Sequence, residues 1–292
     1  MMIKIALRMM LVAGWLGLLA GCSPLKVLNA FTPSGTFTKT ADVRYGSDPR
    51  NALDIYTPVN ASGNAPVVVF FYGGSWNTGS RGDYSFVGEA LASRGIVAVL
   101  ADYRLYPQVH YQGFLQDSAQ AVGWTREHIK AYGGAPDRLY VMGHSAGAYN
   151  AAMLALDSTW LAAVGMKPSM LSGWIGLAGP YDFLPVENAD VKPVFFFPNS
   201  PPDSQPINHV SAQSPPALLI AAKDDSVVNP TRNTGGMAKV LREQGVAVRE
   251  LYYSKPNHAT LVATLSRPMR SLAPVLDDVV KFIHEQDQVR IH

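Results

Sequence analysis

The stretch LYVMGHSAG, residues 139–147, joins a short apolar run to an Ala-rich segment. Leu139–Met142 has the composition of a buried strand, and Ala146–Leu156 has that of a helix. Gly143 and Gly147 flank the junction between them. In so tight a turn, side chains at these two positions would clash with neighbouring backbone. The stretch therefore predicts a strand, a sharp turn and a helix, with Ser145 on the turn.

Short apolar runs alternate with amphipathic stretches on both sides of this junction. The predicted strands are Ala41–Tyr45, Ala52–Tyr56, Val67–Phe71, Ile96–Leu100, Leu139–Met142, Trp174–Ala178, Ala217–Ala222 and Val246–Tyr253. The predicted helices are Asp83–Arg94, Phe114–Tyr132, Ala146–Leu156, Thr231–Gln244 and Leu272–His284. This alternation predicts an α/β domain with a mostly parallel sheet and helices on both faces, spanning residues 41–292. Residues 183–216 are rich in Pro and Phe, break the alternation, and predict a small cap insertion over one end of the sheet.

Composition excludes several classes of protein. The 292 residues are 48% apolar and 16% charged, which argues against general disorder. The 24 basic and 22 acidic residues give a net charge of +2, too small to indicate nucleic-acid binding. The single cysteine, Cys22, excludes an intrachain disulfide framework and a Cys-rich metal site. No metal or organic cofactor is indicated.

The N-terminus predicts export. Residues 1–21 contain Lys4 and Arg8, no acid, and an apolar run that is short for a bilayer-spanning helix, as in a secretory signal peptide. Leu19-Ala20-Gly21-Cys22 resembles a bacterial lipobox. In lipoproteins, such a cysteine becomes the acylated first residue, and two or more acyl chains give stable membrane attachment. The alternative is an ordinary signal peptide or membrane anchor with a chance cysteine, and cleavage of an ordinary signal peptide would give a soluble periplasmic product.

The lipobox interpretation has further consequences. Ser23, rather than Asp, follows Cys22 and resembles the pattern of outer-membrane lipoproteins in Gram-negative bacteria. Residues 22–40 lack clear periodicity and are predicted to be a tether. Without residues 1–21, the 24 basic residues fall to 22 and equal the acidic ones. The slight basicity of the chain is then a feature of the export signal.

Ser145 occupies the centre of a G-x-S-x-G pattern, which in strand–turn–helix context is that of a nucleophile elbow. The alternative is a serine that only caps the helix. A serine nucleophile needs a base, and in elbow enzymes an acid and then a histidine follow the serine along the chain. His258 satisfies this order, in the loop after strand Val246–Tyr253. The remaining histidines precede the serine or the acid, or lie in the last helix or at the terminus: His110, His128, His144, His209, His284 and His292.

Two further segments complete the candidate site. Asp224 and Asp225 follow strand Ala217–Ala222, and a carboxylate at either position could orient the imidazole of His258. After strand Val67–Phe71 the chain reads YGGSW, residues 72–76, where glycines let backbone N–H groups turn toward a developing oxyanion. A phosphate-binding loop is excluded here because the required Gly-Lys-Ser/Thr is absent.

Together these segments resemble the α/β-hydrolase fold, in particular the HGGG-type serine esterases related to hormone-sensitive lipase, feruloyl esterases and kynurenine formamidases. The resemblance covers about residues 50–285. It implies Asp225 as the acid, because a Val-Val-x-Pro segment follows it, and oxyanion donors at the N–H groups of Gly74, Ser75 and Ala146. It departs at Tyr72, where the group usually has histidine, and at Ser75, where many members have a third glycine. It also implies structural roles for Asp102 and Arg104.

The function that this resemblance implies is hydrolysis of small carboxylic esters, short-chain or aryl, through a Ser145–His258–Asp225 triad and an acyl-enzyme. Trp76, Tyr181 and Phe195–Phe197 are candidates to line an acyl pocket, or else belong to the core. Two alternatives remain. An amidase of the arylformamidase type would use the same residues, and a non-catalytic envelope binding lipoprotein would use none of them.

Overall fold

The computed structural model describes residues 24–61 and 63–291. Eight strands form one sheet in the order β1-β2-β4-β3-β5-β6-β7-β8. The strands are β1 (Phe37–Arg44), β2 (Ala52–Pro58), β3 (Ala65–Phe71), β4 (Val97–Ala101), β5 (Gly134–His144), β6 (Gly173–Leu177), β7 (Ala217–Ala222) and β8 (Val248–Tyr253). β2 runs antiparallel to both its neighbours, and every pairing from β4 through β8 is parallel.

Helices cover the sheet and connect the parallel strands. The α-helices are α1 (Pro24–Ala30), α2 (Ser85–Ala92), α3 (Tyr111–His128), α4 (Ala146–Leu156), α5 (Ser158–Ala162), α6 (Gly236–Glu243), α7 (His258–Ala263) and α8 (Val275–Ile291). Residues of the central strands β3, β4, β6 and β7 are buried throughout, as in a sheet covered on both faces. The predicted α/β-hydrolase fold class is confirmed.

The register of the central strands brings their carboxyl ends to one edge. Phe71 at the end of β3 pairs with Gly143 near the end of β5, and His144 pairs with Leu177 at the end of β6. The segments that follow β3, β5 and β7 therefore start beside one another. This edge holds the candidate site, because the loop of residues 72–79, the turn at Ser145 and the loop at Asp225 all leave from it.

The structure differs from the sequence prediction at both ends of the predicted tether. Pro24–Ala30 is a helix, and β1 begins at Phe37 rather than at Ala41. Leu25 and Leu28 pack against the core, and Asn29 donates to Gly82 O. These contacts hold the segment on the domain. They involve too few apolar residues to give a periodic pattern in the sequence. Cys22 and the predicted signal sequence lie outside the described residues.

The predicted cap insertion, residues 183–216, contains three short 3₁₀ turns at Pro193–Phe195, Pro202–Ser204 and Pro206–His209. Phe195 is buried in it, whereas Phe196 and Phe197 are partly exposed. Its frequent prolines remove backbone donors that regular helices and strands would need. Within the part of the chain that the structure describes, no helix has the length and apolar character required to cross a bilayer.

Candidate active site

Ser145 lies between β5 and α4 in a strained backbone conformation, with φ 53° and ψ −121°. Its N–H donates to Leu177 O at 2.8 Å, which fixes the turn to the neighbouring strand β6. A non-glycine residue at positive φ is unfavourable and persists where its surroundings impose it. The turn holds the Ser145 side chain at the carboxyl edge of the sheet, as the sequence pattern predicts.

The two flanking glycines are required by close backbone packing. A Cβ on Gly143 would lie 2.1 Å from the main chain of Gly147, and a Cβ on Gly147 would lie 2.0 Å from Phe71 O. Both distances are far below van der Waals contact. α4 can therefore approach the sheet closely enough to place its N-terminus beside the end of β3.

His258 contacts Ser145 directly, with 2.8 Å between Nε2 and the serine Oγ. The sequence predicts a loop position, and the structure places His258 at the first residue of the short helix α7. Asn257 caps this helix by accepting from the N–H of Thr260, whose hydroxyl bonds the N–H of Asn257 in return. This capping box stabilises the start of the helix and fixes the backbone that carries the imidazole.

Asp225 completes the hydrogen-bonded row, with 2.7 Å between its Oδ2 and His258 Nδ1. Its Oδ1 accepts from the N–H groups of Val227 and Val228, each at 2.9 Å. Burial by itself would raise the pKa of this carboxyl, but the bonds from His258 and the two N–H groups hold it below its ordinary value of 3.8. Asp224 is exposed to solvent. The structure therefore places Asp225, and not Asp224, against His258, a choice that the residues alone left open.

His144 also contacts His258, a feature that sequence reasoning missed. Its Nε2 donates to the main-chain carbonyl of His258 at 2.9 Å, while its buried Nδ1 has no partner among the described residues. Burial, together with the neighbouring His258, lowers the pKa of His144 to about 3. His144 is therefore neutral at physiological pH, and so low a pKa makes its imidazole a weak proton acceptor.

The loop after β3 packs against the turn at Ser145. A Cβ on Gly73 would lie 3.0 Å from both Ser145 Cβ and His144 O. Gly74, at φ 127°, shapes the next turn by accepting at its carbonyl from the N–H of Thr78. Ser75 follows at φ 51° and lines a cavity that Ser145 and Ala146 also line. The predicted backbone donors thus lie on the two segments that border the serine.

Tyr72, the departure from the HGGG pattern, is braced from behind the loop. It is fully buried, and its phenol oxygen accepts from Arg50 Nη2 at 2.6 Å. Arg50 Nη2 also donates to Gly79 O at 2.8 Å, and the hydroxyl of Tyr103 donates to Tyr72 O at 2.7 Å. An arginine and two stacked tyrosines therefore support the start and the end of the loop, which the sequence alone did not reveal.

Asp102 and Arg104 contact residues outside the cavity, in accordance with their expected structural roles. The carboxylate of Asp102 accepts from the N–H of Arg81 and forms an ion pair with its guanidinium. Arg104 forms an ion pair with the buried Asp117 of α3. Both bonds fix the segment after β4 against its neighbours.

The cavity has a volume of about 370 Å³ and is bordered by residues 180–191, which lead into the cap, and by residues 225–233 after β7. Trp76 lines it, as predicted, together with Phe183, which sequence reasoning missed. Tyr181 and Phe195 are buried in the core. Within the described residues, no group of three or more His, Cys, Asp or Glu side chains is arranged to hold a metal ion.

The cap is attached to the body by a second polar cluster at the cavity rim. Arg232 forms a two-pronged ion pair with Asp182 and also donates to Leu184 O. The buried side chain of Asn233 accepts from the N–H groups of Tyr181 and Asp182. Both residues belong to a short π-helical turn, Thr231–Gly235, that replaces the start of the predicted helix.

This sheet order, with a serine on a strand-to-helix turn followed along the chain by Asp225 and His258, defines an α/β-hydrolase. The chain belongs to the BD-FAE family, which matches residues 53–239. The family resemblance expected from the motifs is thereby confirmed.

Relatives and solved structures carry esterase names. The chain is 30% identical to the Arabidopsis thaliana protein named "Probable isoprenylcysteine alpha-carbonyl methylesterase ICMEL1", over 85% of this chain and 56% of that protein. It is 28% identical to the Mycobacterium tuberculosis protein named "Probable carboxylic ester hydrolase LipM", over 80% of this chain and 58% of that protein. The chain thus spans somewhat more than half the length of these curated relatives.

Among solved structures, esterase B from Lactobacillus rhamnosis superimposes with a TM-score of 0.72 at 19% identity, covering 98% of this chain and 100% of that one. A carbohydrate esterase from gut microbiota gives a TM-score of 0.72 at 18% identity, covering 88% of this chain and 99% of that one. At these identities the likeness establishes the fold.

Proposed function

We propose that this protein is a carboxylic ester hydrolase in which Ser145 is the nucleophile, His258 the general base and Asp225 the acid. The observation that carries the proposal is the continuous hydrogen-bonded row from Asp225 through His258 to Ser145, with contacts of 2.7 and 2.8 Å. The row ends at a cavity that is open to a substrate. The family and the names of the relatives support the same reaction class.

The mechanism follows from the atoms that face one another. Ser145 Oγ attacks the ester carbonyl carbon while His258 Nε2 takes its proton. Asp225 accepts the Nδ1–H of His258, which holds the required tautomer and stabilises the imidazolium. The oxyanion accepts hydrogen bonds from backbone N–H groups of Ala146 and of the Gly74–Ser75 segment.

Collapse of the tetrahedral intermediate breaks the bond to the alcohol, which leaves with the proton from His258. The acyl group stays on Ser145 as an ester. A water molecule that gives its proton to His258 then attacks this acyl-enzyme, and the acid is released as Ser145 recovers its proton. Each proton transfer uses the same His258 nitrogen.

The cavity supports small acyl or aryl groups as substrates. Its volume of about 370 Å³ lies at the lower end of ligand pockets, and Trp76 and Phe183 give it aromatic walls. Asp182, Glu187 and Arg232 make its outer rim polar. A compact acyl group beside Ser145, with a more polar group toward the rim, fits this lining.

Turnover of p-nitrophenyl acetate and butyrate, with fluorophosphonate labelling, tests the proposal. The wild-type protein is expected to turn over and to be labelled, and Ser145→Ala is expected to do neither. Ser226→Ala is the matched control, because Ser226 also lines the cavity but is exposed and outside the hydrogen-bonded row. Equal turnover by Ser145→Ala would refute the mechanism. Faster hydrolysis of matching anilides would favour the amidase. The absence of both turnover and labelling in the wild-type protein would favour the non-catalytic alternative.

We also propose that Cys22 anchors the protein to the bacterial envelope. The lipobox-like sequence supports this, and helix α1, whose Leu25 and Leu28 pack on the domain, follows Cys22 closely along the chain. Metabolic labelling with a palmitate analogue and membrane fractionation test it. Incorporation that is lost in Cys22→Ser is expected, whereas a Cys22→Ser variant that still fractionates with membranes would contradict the anchor.

A further inference from the structure

The loop that borders Ser145 contains two consecutive strained residues. Ser75 has φ 51° and Trp76 has φ 58°, and neither is glycine. Left-handed backbone at non-glycine residues is unfavourable and persists only where neighbouring contacts impose it. Ser75 lines the cavity, and its N–H is an oxyanion donor in the proposed mechanism. The contacts that impose this conformation therefore also determine where an oxyanion donor points.

Trp76 supplies those contacts. Its side chain is 3% exposed, and its indole Nε1 donates to Asn150 Oδ1 at 3.0 Å. Its ring packs edge-on against Phe195 at 4.9 Å and Tyr149 at 5.1 Å. Its carbonyl accepts from the N–H of Tyr106 at 2.8 Å. The bond to Asn150 is a directional hydrogen bond, whereas the other contacts of this side chain are ring packing. The bond therefore sets the rotation of the indole.

Asn150 belongs to the helix that begins at the nucleophile. It lies four residues after Ala146 in α4, so both residues share one face of the helix. Ser145 immediately precedes this helix, and its first N–H is that of Ala146. A single rigid helix therefore carries the nucleophile, one proposed oxyanion donor and the acceptor that holds Trp76.

We propose that Asn150 is a positioning residue that sets the two halves of the oxyanion hole relative to one another through its bond to Trp76. This inference rests on the proposed esterase mechanism. The Ser75 N–H comes from the loop after β3 and the Ala146 N–H from α4, and both must reach one oxygen. The Trp76–Asn150 bond links these two segments beneath the cavity, so the spacing of the donors is fixed before substrate binds.

Asn150 has a second hydrogen bond, which makes the inference separable from a general role in the core. Its Nδ2 donates to Ser118 Oγ at 3.2 Å, and Ser118 in turn donates to Phe114 O. All of these groups are buried. A purely structural role for Asn150 would make both of its bonds matter alike for activity. A positioning role makes only the bond to Trp76 matter for the transition state.

Steady-state kinetics of Asn150→Leu, with Ser118→Ala as the matched control, test this assignment. Leucine keeps the size of the side chain and removes the acceptor. Asn150→Leu is expected to lower kcat about 10- to 100-fold with KM within about twofold, because misplaced donors weaken transition-state stabilisation and leave ground-state binding intact. Ser118→Ala is expected to stay within about twofold of wild type in kcat.

Inhibition by a trifluoromethyl ketone supplies a readout that a structural defect would not move selectively. This ketone forms a tetrahedral oxyanion adduct with a serine nucleophile. Its inhibition constant should rise in Asn150→Leu by the factor by which kcat/KM falls, whereas that of the matching methyl ketone should not change. Circular dichroism and thermal unfolding must show that the variant is folded at the assay temperature.

Trp76→Phe provides a second route if Asn150→Leu does not fold, because it removes the donor from the other side of the bond. This variant is expected to weaken inhibition by the trifluoromethyl ketone more than inhibition by the methyl ketone. In the double variant the losses should not add, since both changes break one bond. An Asn150→Leu variant that matches Ser118→Ala in kcat and in ketone selectivity would overturn the inference. A wild-type protein without turnover or labelling would overturn the proposed function as well.

Discussion

His144 donates its Nε2–H to the main-chain carbonyl of His258 at 2.9 Å, so the residue beside the proposed nucleophile bonds the backbone of the proposed base. The two rings lie 5.2 Å apart between centroids. This contact joins the end of β5 to the start of α7, elements far apart in sequence. Because a carbonyl oxygen can only accept, the contact requires a proton on Nε2, and the lowered pKa of His144 leaves its Nδ1 unprotonated.

The buried state of His144 predicts acid lability. The folded protein keeps this imidazole neutral down to about pH 3, whereas the unfolded chain protonates it near the ordinary pKa of 6.5. The unfolded state therefore binds one more proton between these values, and stability falls as pH falls through that window. The loss that this group contributes is on the order of 4 kcal/mol by pH 3.

Urea unfolding at a series of pH values between 4 and 7 measures this effect. Replacing His144 by glutamine keeps an N–H donor, now on an amide, and removes the titrating group. The slope of unfolding free energy against pH should therefore decrease by up to the equivalent of about one bound proton. The folded pKa of Asp225 is also lowered, so its stabilising contribution is lost mainly below pH 3.8, and this loss occurs in both proteins. Identical slopes for wild type and variant would contradict the assignment.

The two neighbouring aspartates should differ sharply in their effect on activity. Asp225→Asn replaces the carboxylate that accepts from His258 Nδ1, which leaves the imidazole without its required tautomer. We expect kcat to fall by about 10³- to 10⁴-fold. Asp224→Asn is the matched control, because Asp224 is exposed, and should retain near-wild-type kcat. Comparable losses in both variants, measured on p-nitrophenyl butyrate, would argue against the proposed role of Asp225.

Gly147 should not tolerate even alanine. Alanine is normally favoured over glycine inside a helix by about 1 kcal/mol, yet here its Cβ would meet Phe71 O at 2.0 Å. Gly147→Ala is expected to lose more than about 3 kcal/mol of stability, or to give no soluble protein. A Cβ on Gly82 would have Ser80 Oγ as its nearest neighbour, at 3.8 Å, so Gly82→Ala should unfold like wild type. Thermal unfolding by circular dichroism compares them, and a wild-type midpoint for Gly147→Ala would refute the packing argument.

Two buried tyrosine hydroxyls should respond oppositely to removal. The Tyr72 hydroxyl accepts from Arg50, and its loss in Tyr72→Phe leaves a charged donor short of a partner. We expect a destabilisation of about 1–3 kcal/mol in urea unfolding. The Tyr149 hydroxyl is buried without a partner among the described residues, so Tyr149→Phe should be neutral or stabilising. Equal shifts in the two unfolding midpoints would count against a stabilising role for the bond between Arg50 and the Tyr72 hydroxyl.

The sequence alone predicts the succession of strands along the chain, the turn at Ser145 and a position for His258 near that turn, and the structure shows each of them. These features depend on local signals, such as the glycines that the backbone contacts of Gly147 require. The choice between Asp224 and Asp225 comes only from the family resemblance. Successive residues at a strand end point to opposite sides, and the path of the loop after β7 decides which of the two faces His258.

Other parts of the site had no local signal. Arg50 and Tyr72 come from different strands' ends, and their contact depends on how the antiparallel β2 hairpin folds back on the sheet. Helix α1 lies in a segment too short for a periodic pattern to appear. Phe183 lines the cavity because Asn233 and Arg232 fix the start of the cap, a contact between residues about 50 positions apart that spacing does not reveal.

The most direct test of the central claim is mass spectrometry of the protein quenched in acid during turnover of p-nitrophenyl butyrate. We expect a mass increase of one butyryl group, mapped by peptide fragmentation to Ser145 and absent in Ser145→Ala. Asp225→Asn should form this adduct more slowly than Asp224→Asn. Turnover by the wild-type protein with the acyl group on another residue, or undiminished in Ser145→Ala, would contradict the assignment of Ser145 as the nucleophile.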